Sequence, residues 1–93
     1  MRQRIDKWLW HARVVRTRGD AAALVEAGHV RINGARMVAP GHAIRCGDVV
    51  TLALDRTVRV IEVLGFRERR GDAGSARQLY RDVSASPGQA RTS

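Results

Sequence analysis

Between Ile5 and Arg16 the residues Ile5, Trp8, Leu9, Ala12 and Val15 recur at three- and four-residue spacing. That pattern predicts a helix with one apolar stripe. Lys7, Trp10, His11 and Val14 fall on the opposite side. Thr17 follows as a predicted N-cap, with Asp20 three residues on in capping-box spacing. The good helix formers from Ala21 to Ala27 predict a second, short helix, and Gly28 stands where a left-handed residue ends one.

Beyond Gly28 the period changes from helical to alternating. Val30-Arg31-Ile32, the turn dipeptide Asn33-Gly34 and Arg36-Met37-Val38 read as a hairpin. Ala39-Pro40-Gly41 interrupts the chain, and Gly47-Asp48 predicts another turn. The segments 49–54 and 57–64 alternate as two further strands, in which Val58, Val60, Ile61 and Val63 are expected to seek the core. After Phe66 the chain turns polar and charged. A helix is expected over 75–83, with Leu79, Val83 and Tyr80 together, and the small, Pro- and Gly-containing residues 85–93 read as a disordered tail.

This order predicts an α+β protein with two short helices packed on a small antiparallel sheet, followed by a short C-terminal helix and a flexible tail. The 93 residues allow one small domain. Its expected extent is 3–66, with a C-terminal extension over 67–84 and the tail over 85–93.

Charge sharpens the picture. Lys and Arg number 17 against 9 Asp and Glu, for a net charge of +8, and every base except Lys7 is arginine. A guanidinium fork matches phosphate geometry, so nucleic acid is the first partner to consider and an anionic membrane surface the second. Residues 1–45 carry nine bases and three acids, while 46–93 carry eight and six. A phosphate-binding surface is therefore expected in the first half. The opening Met1-Arg2-Gln3-Arg4-Ile5-Asp6-Lys7 lacks the apolar run of a signal peptide and no stretch is long enough to span a membrane, which reads as a cytoplasmic protein. Cys46 is the single cysteine, and with His11, His29 and His42 it matches no metal-ligand spacing. No cofactor loop, nucleophile elbow or paired carboxylates appear, so neither a cofactor nor catalysis is expected.

The corner Arg16-Thr17-Arg18 is the most informative segment, because free N–H groups at a helix start favour an anion and flanking arginines add donors. The competing reading pairs both arginines with Asp20 and Glu26. Arg31 and Arg36 flank the hairpin turn and suit backbone contact. Asn33 either offers its amide to a base or sugar or simply serves the turn. Lys7 extends the basic surface, and Asp6 reads as an orienting partner for a neighbouring arginine. Trp10 and Val14 either stack on an unpaired base or lie under the C-terminal helix, which would give Leu79 and Tyr80 a place.

Arg4-Ile5-Asp6-Lys7, Thr17-Arg18, the run Gly28-x-Val30-x-Ile32-Asn33-Gly34, and Gly47-Asp48 together resemble the S4 RNA-binding domain family over about residues 3 to 54. Asp6-Lys7-Trp8-Leu9-Trp10, Arg16-Thr17-Arg18, Glu68-Arg69-Arg70-Gly71 and Ala76-x-x-Leu79-Tyr80 look like its ribosome-associated heat-shock branch and extend the likeness to residue 82. The resemblance implies an αL motif that grips RNA through Arg4, Lys7, Arg16, Thr17, Arg18, Arg31, Asn33 and Arg36. Where many S4 domains carry further basic residues on the second helix, this chain has Ala21-Ala22-Ala23 and Glu26, which implies a smaller phosphate footprint.

For that branch the implied role is binding structured rRNA of the large ribosomal subunit when it is stalled with nascent chain-tRNA, and helping to recycle it. Weak DNA binding through the same charge and a monomeric free state are also expected. An RNA-targeting accessory module working with an RNA-modifying enzyme is the alternative, and a basic protein that binds other proteins is a third reading.

Overall fold

The computed structural model of the chain describes residues 2–68 and 71–83. Its elements are β1 (Arg2–Arg4), α1 (Ile5–His11), α2 (Arg18–Glu26), β2 (Val30–Ile32), β3 (Ala35–Met37), β4 (Ala43–Arg45), β5 (Val49–Ala53), β6 (Val58–Val63), α3 (Ala73–Ala76) with a 3-10 turn (Arg77–Leu79), and β7 (Tyr80–Asp82). The expected tail over 85–93 lies outside the described residues.

Both α1 and α2 end in the same hydrogen-bond pattern. After α2, Gly28 adopts φ +82°, its N–H donates to the Val25 carbonyl, and the His29 N–H donates to Leu24. After α1, Arg13 takes the left-handed place at φ +58°, donating to Trp10 while the Val14 N–H donates to Leu9. Both are Schellman ends, one with the glycine that suits them and one without. The helix expected to reach Arg16 therefore stops at His11. Arg13 accepts a conformation unfavourable for a side-chain-bearing residue, and its guanidinium donates twice to the Gly71 carbonyl, at 3.1 and 3.0 Å.

The main sheet runs β3-β2-β5-β6-β7, antiparallel at every pairing, and β1 pairs with β4 in a separate two-stranded ribbon. Asn33 (φ 52°) and Gly34 (φ 86°) make the two-residue hairpin turn that requires two left-handed residues. Helices α1 and α2 pack on each other, and their stripes join one sheet face: Ile5, Trp8, Leu9, Ala12, Ala21 and Val25 meet Val30, Ile32, Val50, Leu52, Ile61 and Val63. Ile44 closes the core from the ribbon and Leu79 from the 3-10 turn.

Three expectations need correction. In β6 only Ile61 and Val63 face the core; Val60 is half-buried and Val58 is exposed. The strand carries valines on both faces, and a sheet with helices on one side buries only one of them. The helix expected over 75–83 ends at Leu79, and Tyr80–Asp82 instead pair with β6, satisfying an edge that would otherwise be open. An ion pair of 3.0 Å between Arg59 and Asp82 and the Arg59 guanidinium 5.6 Å from the Tyr80 ring centre fix that strand. His11, expected to point outward, is buried.

Residues 64–68 and Gly71, a strap beside α1, explain the burial of His11. Trp8 Nε1 donates to the Gly65 carbonyl at 2.9 Å, His11 Nδ1 lies 2.9 Å from the Arg67 carbonyl, and Gln3 Nε2 donates to that same oxygen at 2.7 Å. With the Arg13 bonds to Gly71, these contacts tie the strap along α1. Trp10 is half-buried, its ring 5.4 Å from that of His11, and Val14 packs against the core.

Candidate nucleic-acid interface

Two arginines converge on one buried carboxylate at the junction of β1, α1 and α2. Arg4 caps the start of α1 and donates from Nε and Nη2 to the two oxygens of Asp6, at 3.2 and 3.0 Å. Arg18, the first residue of α2, approaches Asp6 Oδ1 to 3.8 Å, and the Lys7 N–H donates to the same oxygen at 2.7 Å. The Asp6 side chain is 5% exposed, whereas those of Arg4 and Arg18 are 54% and 42% exposed. A buried charge needs partners; here one anion holds two cations whose remaining N–H groups face solvent. Asp6 is thus an orienting group, as expected, and Arg18 pairs with it rather than with Asp20 or Glu26.

Thr17 sits between the exposed Arg16 and the half-buried Arg18, and its Oγ1 accepts the Asp20 N–H at 3.0 Å. That bond fixes the first turn of the nine-residue α2, and the exposed Thr17 hydroxyl, here an acceptor, still has its proton to donate. Arg16 forms no hydrogen bond or ion pair among the described residues. Only the Asp20 N–H is taken by the cap, so the Arg18 and Gly19 N–H groups at the helix start, beside two arginines, make a ready anion site.

Lys7 is half-buried on α1. Burial holds the His11 imidazole below its ordinary value, and its bond to the Arg67 carbonyl opposes that shift. The charges of Lys7, Arg18 and Arg67 push it further down. Those three cations therefore share one positive region. Arg67 was absent from the residues picked out by sequence, because only the strap brings it beside α1.

Arg31 and Arg36 stand directly opposite each other in β2 and β3, both exposed. Like charges in that relation are unfavourable, so an anion between them would be welcome. Arg31 Nη1 reaches the Gly34 carbonyl at 3.3 Å. The Arg36 guanidinium lies over Gly28, where a Cβ would come within 3.0 Å of its Nε.

The Asn33 amide is occupied within the fold. Its Nδ2 donates to Asp48 Oδ1 at 3.1 Å and its Oδ1 accepts the Val49 N–H at 2.9 Å, joining the hairpin turn to the Gly47-Asp48 turn. No hydrogen bond or ion pair among the described residues links the hairpin pair to the Asp6 corner. The eight residues thus form a helix corner (Arg4, Lys7, Arg16, Thr17, Arg18), a hairpin pair (Arg31, Arg36), and Asn33 at the turn.

Among the described residues no three His, Cys, Asp or Glu side chains group as metal ligands, and no helix is long and apolar enough to cross a membrane.

The S4 domain family model matches residues 3–50, the segment that carries the corner, the hairpin and the β1–β4 ribbon. The heat shock protein 15 homolog of Aeromonas salmonicida is 39% identical over 83 residues, spanning 89% of this chain and 62% of its own length. Heat shock protein 15 of Escherichia coli (strain K12) is 35% identical over the same shares. The chain thus spans about three fifths of the length of these curated relatives. The small ribosomal subunit protein uS4 of an Anaeromyxobacter species (strain Fw109-5) is 36% identical over 74 residues, 76% of this chain and 35% of its own. A solved structure of heat shock protein 15 from Vibrio cholerae, described as trimeric, superposes with a TM-score of 0.85 at 35% identity, covering 96% of this chain and 89% of that one.

Proposed function

The chain belongs to the S4 domain family, an RNA-binding family, on its heat shock protein 15 branch, and from that premise we propose that it grips structured rRNA of the large ribosomal subunit. In this reading it helps recycle stalled subunits that still hold nascent chain-tRNA, acts without a cofactor or catalysis, and binds double-stranded DNA weakly through the same charge. The observation that carries it is the corner where buried Asp6 aims the exposed Arg4 and the half-buried Arg18 beside the start of α2.

Guanidinium groups held by a fixed carboxylate meet phosphates with less side-chain ordering than free ones require. Arg16, Thr17 and Lys7 extend that corner. Arg31 and Arg36 supply a second phosphate contact at the hairpin, and Asn33 holds the hairpin in position. Recognition is by backbone and shape, since most contacts of this kind position rather than read sequence.

The test is binding to large-subunit rRNA across a salt series. Contact with about six phosphates gives a slope of log K against log salt of about −4 to −5. Arg18→Ala weakens binding by about 1–3 kcal/mol. A flat salt response, or wild-type affinity in a folded Arg16→Ala/Arg18→Ala variant, overturns the reading. The free protein is proposed to be monomeric. Light scattering that returned three times the monomer mass would replace that with the trimeric state described for the Vibrio cholerae relative.

A further inference from the structure

A groove of about 590 Å³ opens between the β1–β4 ribbon and the β2–β3 hairpin, outside the corner described above. Arg2 and Arg45 stand directly opposite each other on the ribbon, both exposed, and both line it. Neither guanidinium forms a hydrogen bond or ion pair among the described residues. The acid in the groove, Asp48, forms no ion pair with either: Oδ1 accepts from the Asn33 amide and Oδ2 from the backbone N–H of Arg45, and against its one negative charge the two arginines leave the lining net positive. The ribbon thus presents two facing like charges, an unfavourable arrangement that a bound anion would relieve.

The rest of the groove has a different chemistry. Ala35 and Met37 of β3 and Ala43 of β4 line it with apolar surface, and the half-buried His42 supplies a ring. A concave site with an apolar wall and two cations on one edge suits a flat ring joined to a phosphate. Side chains alternate along a strand, so Arg2 and Arg4 share one face of β1 about 6–7 Å apart. The groove's basic edge therefore runs directly into the Asp6 corner.

We propose that this groove holds one unpaired nucleotide of the RNA gripped by the corner, its base against the Met37 and Ala43 wall and its phosphate at Arg2 and Arg45. The proposal rests on the RNA-binding reading above. Unpaired nucleotides can be splayed out of an RNA and packed by their faces against a protein surface, and here the His42 ring and the Met37 and Ala43 side chains offer such a surface to any base.

The experiment compares two probes, a blunt fluorescein-labelled stem-loop RNA and the same stem-loop with a short single-stranded 3′ extension. Each is titrated with the full chain, with Arg2→Gln/Arg45→Gln, and with Arg16→Ala/Arg18→Ala. The first variant removes two exposed like charges and leaves the ribbon's backbone pairing in place, so its circular dichroism should match wild type. The extension is expected to tighten wild-type binding at least about fivefold. That gain should vanish in Arg2→Gln/Arg45→Gln and persist in Arg16→Ala/Arg18→Ala, although the latter binds both RNAs more weakly.

The inference is overturned, with the RNA-binding reading intact, if wild type binds both probes equally, if the gain survives in Arg2→Gln/Arg45→Gln, or if that variant loses the same factor on both. Failure of wild type to bind either probe overturns both proposals.

Discussion

Asp6→Asn separates a surface that works by total charge from one that works by placed arginines. The substitution keeps the size of the side chain and an oxygen for the Lys7 N–H, but removes the charge that holds Arg4 at 3.0 Å and Arg18 at 3.8 Å. Freed, each guanidinium must be ordered on binding, at about 0.5–1.5 kcal/mol per side chain. Together that weakens binding by about 1–3 kcal/mol. Opposing it, loss of the one negative charge beneath the solvent-facing arginines strengthens their attraction to RNA by about 0.2–1 kcal/mol. Positioning wins, and the net expectation is affinity about three- to tenfold weaker.

Stability falls too. Removing one partner of a fully buried pair costs about 3–5 kcal/mol, but the arginines are roughly half exposed, so about 1–2 kcal/mol is expected. For a chain of this length that lowers Tm by about 4–16 °C. The control is Asp55→Asn, an exposed acid in the turn between β5 and β6, which makes the same charge change and should leave Tm unchanged and tighten RNA binding slightly. Fluorescence anisotropy with a stem-loop RNA and thermal melts give both quantities. Asp6→Asn matching or exceeding wild-type affinity, as the control does, would refute the reasoning.

Leu9→Ala opens a cavity beneath α1, and chemical denaturation should show a loss of about 2–5 kcal/mol. Full stability would mean that Leu9 is not at the centre of the core. Because His11 is held below its ordinary value of 6.5 in the fold, the unfolded chain binds its proton first. Stability should therefore be full above about pH 6.5 and decline as pH falls below it, levelling only beneath the folded value. Urea midpoints against pH should show this slope, and His11→Gln should flatten it. Gly28→Ala forces a side chain into φ +82° and against Arg36, costing about 1–2 kcal/mol. It also displaces Arg36, so RNA affinity should fall as well; an unchanged melt would contradict the strain argument.

The features legible in the sequence are those fixed by local chemistry. Asn33-Gly34 specifies its turn, Thr17 caps α2 through the Asp20 N–H, and Gly28 ends that helix because a left-handed residue without a side chain is least strained there. The spacing of Ile5, Trp8, Leu9 and Ala12 marks the buried stripe correctly. What escaped depends on partners distant in sequence. Strands β1 and β4 are three residues each and exist only through their mutual pairing, and β7 exists through the open edge of β6. Arg13 ends α1 in a conformation that arginine does not advertise, held by the carbonyl of Gly71. The basic corner was visible as charge, but its organisation around Asp6 was not. Nothing in the sequence says that Arg18 reaches back twelve positions rather than forward to Asp20.

Sedimentation of the tagged protein through a sucrose gradient of cell lysate tests the central claim most directly. The account predicts migration with free large ribosomal subunits, lost on RNase treatment, in high salt, and in the Arg16→Ala/Arg18→Ala variant. Retention of the protein at the top of the gradient would contradict the ribosomal assignment. Co-sedimentation that survives RNase and high salt would contradict the arginine–phosphate mechanism itself.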